Sequence, residues 1–162
     1  FADLHFHSTC SDGCLSIAEL FAKGSEVGLS AMTLTDHDTV DGFNEAEKIA
    51  NSYGIETLLA SEISTMHLGK DVHILAYGFD PEYMPLKNQM LRIKIDRKLR
   101  AEKMIEKLKN QGYPIELSEV IAEAGSADNL GRPHIARVLI KKKIVASIQE
   151  AFYRFLSENG IA

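Results

Sequence analysis

The sequence predicts an α/β protein that begins as alternating strands and helices and ends as helices alone. Three observations lead there. Runs that read as strands recur at residues 2–7, 31–35 and 55–63, with an amphipathic stretch between each pair; that rhythm belongs to parallel strands joined by crossover helices. A fourth strand-like run, 71–77, starts only eight residues after the third ends, too soon for a crossover helix. From Pro81 onward the apolar spacing is helical to the end of the chain.

In residues 2–7 alternation puts Asp3, His5 and His7 on one side and Leu4 and Phe6 on the other. Residues 8–14 are a polar loop. Ser16 with Glu19 forms a capping-box pattern, opening a helix that runs to about Val27 and stops at Gly28. The second strand, 31–35, runs into Asp36-His37-Asp38. A second helix spans 41–52 and closes near Gly54, and a third strand, 55–63, ends at Glu62. A hairpin is the simplest link to strand 71–77. Turning at His67-Leu68, it makes Glu62 and His73 cross-strand neighbours.

A long helix is expected over 85–111, with Leu91, Ile95, Leu99, Met104, Ile105 and Leu108 as its apolar stripe; shorter helices follow at 118–124, 133–142 and 147–158. The compositional break near residues 80–84 divides a site-bearing body, residues 1–82, from a helical insertion or cap, residues 83–160.

Composition narrows the function classes. With 45% hydrophobic and 25% charged residues, the chain is a folded globular protein rather than a disordered one. No apolar run approaches the roughly 20 residues of a membrane span, so no membrane partner is expected. Cys10 and Cys14 are too few for a disulfide scaffold, and with Phe1 opening directly into Ala2-Asp3-Leu4-His5 no secretory leader is expected. The expected compartment is the cytoplasm. Residues 87–109 hold nine Lys/Arg against three Asp/Glu, while the rest holds nine against twenty. Such an acidic body with one basic helix is not built for stable duplex DNA binding, which calls for a broad basic face. It suits a metal-binding body with an element that attracts anions.

The chemistry gathers at strand ends. His5, His7, His37 and His73 lie there with Asp12 and Glu62, drawn from four chain segments. Nitrogen and carboxylate donors without thiolates suit Zn, Mn or Fe. Asp3 and Asp38 are placed to orient ligating imidazoles. The strength lies in the joint pattern, because a single His-x-His strand or a Thr-Asp-His-Asp loop is common without metal. The chain has neither a nucleophile elbow nor a phosphate loop. A metal-bound hydroxide is therefore the expected nucleophile, with Asp12, His37 and Glu62 as the catalytic candidates. By contrast, Cys10 reads as an inert loop thiol, His67 as a solvated turn residue, Tyr77 and Phe79 as packing, and Arg97, Lys98 and Arg100 as solvated helix residues.

Asp-Leu-His-Phe-His-Ser (3–8), Ser-Asp-Gly (11–13), Thr-Asp-His-Asp (35–38), Ser-Glu-Ile-Ser (61–64) and Val-His-Ile-Leu-Ala-Tyr-Gly-Phe-Asp (72–80) closely resemble the PHP family, named for polymerase and histidinol phosphatase. Gly-Arg-Pro-His-Ile-Ala-Arg (131–137) further resembles its stand-alone bacterial phosphoesterases, the branch with the 3',5'-nucleoside bisphosphate phosphatases. The resemblance implies the N-terminal part of a distorted seven-stranded β/α barrel with a helical insertion. It implies two to three divalent metal ions: His5, His7 and Glu62 on the first, Asp12 and His37 on the second, Glu62 bridging to a third that His73 also holds. It implies that Arg132 and His134 grip substrate phosphate, Arg132 through its planar fork. The implied substrate is a small phosphorylated molecule, a nucleotide or a short oligonucleotide end, with histidinol phosphate and a non-catalytic metal-binding module as rivals. The family places a further metal histidine and a closing Asp-x-His pair beyond residue 162, so the expectation is an N-terminal fragment of a longer protein.

Overall fold

The computed structural model describes residues 1–127, 130–157 and 160. They divide into two compact units, Phe1–Ile93 and Lys94–Ala162.

In the first unit β1 (Ala2–Phe6) pairs in parallel with β2 (Ala31–Leu34), with a register shift between Asp3 and Phe6. Between them runs α1 (Ile17–Glu26), opened by the expected capping box: Glu19 N–H donates to Ser16 Oγ and Ser16 N–H to the Glu19 carboxylate. Its buried Ile17 and Phe21 join Met32, Leu34, Ile55 and two alanines of α2 (Phe43–Tyr53) in one core. Gly24 allows this packing, since a Cβ there would fall 1.9 Å from the Met32 sulfur. α2 ends at Gly54 in the left-handed conformation, φ 67°.

The third strand starts later than expected. Residues from Ile55 touch β2 through one parallel bridge, Ala31↔Glu56, and a second bridge joins His37 to Glu62. The continuous strand, β3 (Ala60–His67), forms where an antiparallel partner is available, β4 (Lys70–Tyr77). The hairpin is present, but its turn is Leu68-Gly69, with φ 50° and 77°. A two-residue turn with both φ positive favours glycine, so Gly69 is drawn into it. That one-residue shift moves every partner by two: Glu62 faces Leu75 and His73 faces Ser64. Parity is kept, so Glu62 and His73 still share a face. The described residues hold two two-stranded sheets, β1-β2 and β3-β4, and no closed barrel.

The long helix, α3, spans Met84–Asn110. Its expected stripe holds in part. Ile105 and Leu108 are buried with Ala101, whereas Leu91, Ile95 and Leu99 are 59, 52 and 48% exposed. The second unit's core collects Ala101, Ile105 and Leu108 with residues of α4 (Leu117–Ala124) and α5 (Arg132–Lys141) and with Phe155 and Leu156. The last expected helix, 147–158, is a short α6 (Ile148–Ala151) that widens into a π-helical turn, Phe152–Leu156. The wider turn lets the adjacent Phe155 and Leu156 both reach the core. Glu158 of that expected helix lies outside the described residues.

Candidate metal centre

The centre starts from a buried carboxylate directly after β2. Asp36 is 1% exposed. Its Oδ1 accepts the Ser8 N–H at 2.8 Å and the Ser11 hydroxyl at 2.5 Å, and its Oδ2 accepts the Ser8 hydroxyl at 2.6 Å. Burial pushes this carboxyl above the ordinary range, and the hydrogen bonds from Ser11 and Ser8 pull part of the way back. The loop closes further on itself: Ser11 and Gly13 N–H both donate to the Ser8 carbonyl, and Cys10 N–H donates to Ser8 Oγ. Gly13 passes so near β1 that a Cβ would lie 2.2 Å from the His7 carbonyl oxygen. The result brings Asp12 within 3.5 Å of His7 Nδ1 and 3.7 Å of His37 Nε2.

Glu62 is the hub. His5 Nε2 and His7 Nε2 each lie 2.9 Å from its Oε2, His73 Nδ1 lies 2.8 Å from its Oε1, and His37 Nδ1 is 3.9 Å from Oε2. Burial raises the Glu62 pKa, but His5, His37, His73 and His7 outweigh it and hold the carboxyl below its ordinary value. The expected Glu62–His73 neighbourhood is therefore realised diagonally across the hairpin rather than directly opposite.

Three sets of donor atoms lie within 4.8 Å of one another: His5, His7 and Glu62; His7, Asp12 and His37; His37, Glu62 and His73. These donors fit divalent cations. In the first set the edges are 2.9, 2.9 and 3.3 Å, and a tetrahedral site with bonds of about 2.1 Å has edges of roughly 3.4 Å. The donors are imidazole nitrogen and carboxylate oxygen, a set that accepts Zn, Mn or Fe.

All six expected ligands thus sit together in the first unit. Asp3 Oδ1 accepts the His5 backbone N–H, and Asp38 accepts the Ser64 N–H and hydroxyl, tying β3 to the segment after β2. Arg132 and His134 belong to the second unit, at the first turn of α5. Gly131 N–H donates to His134 Nδ1 at 3.1 Å, the ring is buried, and the Arg132 guanidinium stands 5.7 Å from the centre of the Phe152 ring. Two residues of the site escaped the sequence reading. Asp36 was passed over between its neighbours, although a carboxylate directly after an apolar strand is itself a signal. Tyr77, read as packing, donates its hydroxyl to the Leu4 carbonyl at 2.7 Å, linking β4 to β1 beside His5. Burial raises the pKa of the Cys10 thiol, consistent with an inert loop residue, and His67 is exposed beside the hairpin turn.

The chain belongs to the PHP family: the PHP domain matches residues 3–142. Among curated relatives it is 36% identical to a 5'-3' exoribonuclease of Haemophilus influenzae, over 99% of this chain and 58% of the relative. It is 30% identical to a 3',5'-nucleoside bisphosphate phosphatase of Chromobacterium violaceum, over 96% of this chain and 54% of that one. Among solved structures, a C. violaceum amidohydrolase with bound sulfate and no metal superposes with a TM-score of 0.94 at 29% identity, covering 99% of this chain and 56% of the other. A candidate metal-dependent phosphoesterase of Bifidobacterium adolescentis superposes at 0.92 with 30% identity, covering 98% and 56%. The chain spans a little over half the length of the curated relatives it matches. No helix of the described residues is long and apolar enough to cross a membrane.

Proposed function

We propose that this chain carries the metal centre of a phosphoesterase that hydrolyses phosphate monoesters of nucleotides, either a 3',5'-nucleoside bisphosphate or the end of a short oligonucleotide. The observation that carries the reading is the convergence of three imidazole nitrogens within 2.9 Å of one buried carboxylate, Glu62. Divalent ions bound there would draw charge from phosphate oxygens and acidify a water molecule.

The residues themselves do the positioning. His5, His7 and Glu62 would hold one ion, Asp12 and His37 a second, and Glu62 with His73 a third. The three donor sets support this division, with His7 and His37 each belonging to two sets. Glu62, kept anionic by its histidines, supplies the negative charge that several cations share. Asp36 keeps Asp12 in place through Ser8 and Ser11. Arg132, with its flat fork of donors, and His134 stand as phosphate contacts on the family resemblance; in the structure the His134 ring is buried and its Nδ1 accepts the Gly131 N–H. The two sheets form part of a β/α barrel, with residues 1–82 as its N-terminal portion and 83–160 as a helical insertion. The two cysteines, both thiols here, suit a reducing cytoplasm.

The names of the relatives, a nucleoside bisphosphate phosphatase and an exoribonuclease, support the nucleotide class. The test is phosphate release from adenosine 3',5'-bisphosphate with added Mn²⁺ against a chelated control, for this chain and for the full-length gene product. Chelator-sensitive release is expected. Its absence in the full-length product, with this substrate and with a short phosphorylated oligonucleotide alike, overturns the proposal.

A further inference from the structure

The two aspartates that flank His37 grip different parts of the centre. Asp36 holds the loop of Asp12 through Ser8 and Ser11. Asp38, also buried, reaches into β3. Its Oδ1 accepts the Ser64 N–H at 2.7 Å and its Oδ2 the Ser64 hydroxyl at 2.8 Å.

The bonds around it make a short parallel ladder. Glu62 N–H donates to the Asp36 carbonyl at 3.2 Å, and Asp38 N–H to the Glu62 carbonyl at 3.1 Å. These form the bridge between His37 and Glu62. In a regular parallel ladder the next rung runs from Ser64 N–H to the main-chain carbonyl of residue 38. Asp38, however, stands at φ 53°, a left-handed conformation that turns the chain out of the strand and that aspartate tolerates better than most residues. Its carboxylate takes the rung in place of the carbonyl. A charged acceptor makes the stronger hydrogen bond, so β3 stays held past the point where its neighbour leaves.

Ser64 is the residue directly opposite His73, and Glu62, two positions earlier, shares its face. Pinning Ser64 therefore fixes the part of β3 across which His73 Nδ1 meets Glu62 Oε1 at 2.8 Å. Asp38 is thus tied to all three members of one donor set: to His37 as its chain neighbour, to Glu62 by a main-chain bond, and to His73 through Ser64. His5 lies on β1, whose paired strand is β2, outside this ladder.

We propose that Asp38 is the positioning residue of the set His37, Glu62 and His73, acting through Ser64 to hold His73 against Glu62. The inference rests on the metal reading of the centre. It gives that set an anchor separate from the Asp36 anchor of the Asp12 loop.

The test follows the histidine ring signals of the ¹⁵N-labelled full-length gene product by NMR, first without metal and then through a titration with Zn²⁺ alone. His5 and His73 each belong to one donor set, whereas His7 and His37 each belong to two, so His73 is read against His5. In Ser64→Ala the His73 ring signals are expected to shift without metal. Their Zn²⁺ midpoint should rise by roughly tenfold or more, while His5 keeps its wild-type midpoint. Ser64→Thr keeps the hydroxyl in a residue suited to a strand, and should restore both readings. Asp38→Asn tolerates the left-handed backbone but removes the acceptor's charge; it should move the same ring by less, and serves if urea unfolding shows Ser64→Ala to be unfolded. Unchanged His73 signals and midpoint, equal changes at His5 and His73, or a Ser64→Thr protein that behaves as Ser64→Ala each overturn the positioning role. Zn²⁺ that moves no ring signal in the wild type overturns the metal reading instead, and the metal-free comparison of His73 with His5 then decides the positioning role by itself.

Discussion

Asp36→Ala separates an organising carboxylate from a passive one. The side chain accepts three hydrogen bonds from two serines that are themselves buried. Alanine leaves three donors without that acceptor, and each unsatisfied buried group costs about 1–3 kcal/mol. The variant also removes a carboxylate whose burial is expensive, which offsets several kcal/mol of that loss. The expected net destabilisation is about 2–4 kcal/mol. Asp36→Asn keeps one carbonyl acceptor and the shape of the group, so its cost should be nearer about 1 kcal/mol. The assay is urea unfolding of the metal-free protein, followed on the backbone amides of Phe21 and Leu34, both in the core of the same unit. The pH dependence has a definite sign. Because burial raises the folded-state pKa of Asp36, the native state binds its proton more readily than the unfolded chain. The wild type should therefore gain on Asp36→Asn as pH falls from neutral through that raised value. Asp36→Ala should also weaken the cation set that includes Asp12 more than the set made by His5, His7 and Glu62. Unfolding of Asp36→Ala within about 0.5 kcal/mol of wild type refutes the organising role.

Three further outcomes follow from the same geometry. Glu62→Gln should weaken binding of a divalent probe such as Mn²⁺, read by electron paramagnetic resonance, by roughly tenfold or more. In the metal-free protein Glu62 has a lowered folded-state pKa, so its stabilisation is present above the ordinary carboxylate range and lost as pH falls through the lowered value; Glu62→Gln should remove that part of the pH profile. Tyr77→Phe removes the bond to the Leu4 carbonyl and should cost about 0.5–1.5 kcal/mol, with faster amide exchange at His5. A normal exchange rate there would leave Tyr77 as packing. Leu68→Asn places a residue that tolerates positive φ where leucine sits at 50°, and should stabilise the hairpin by about 1 kcal/mol in thermal melts.

Much of the site was legible because His5, His7 and His37 sit at or just past the ends of β1 and β2; Glu62 and His73, expected at strand ends too, lie inside the hairpin strands. Strand alternation alone puts His5 and His7 on one side of β1, and the parallel rhythm carries His37 and Glu62 to the same edge. Caps and breakers were equally local: Ser16 with Glu19 and Gly54 acted where their chemistry predicted. The hairpin was legible as an interval, but not its register. That depended on whether Gly69 or His67 entered the turn, a choice worth two residues of pairing. The helical stripe failed at Leu91, Ile95 and Leu99 because periodicity marks an apolar face, whereas burial requires a core that meets it.

By itself the sequence determined the family, the order of most elements and the six side chains that gather around Glu62, since these follow from residue type and short-range spacing. Tertiary structure alone decided that Asp36 anchors the Asp12 loop, that Tyr77 links β4 to β1, and that Glu62 lies within 2.9 Å of three imidazoles. Those facts depend on contacts between residues tens of positions apart. Local propensity does not encode such distances, and packing settles them once the sheet and its loops have closed.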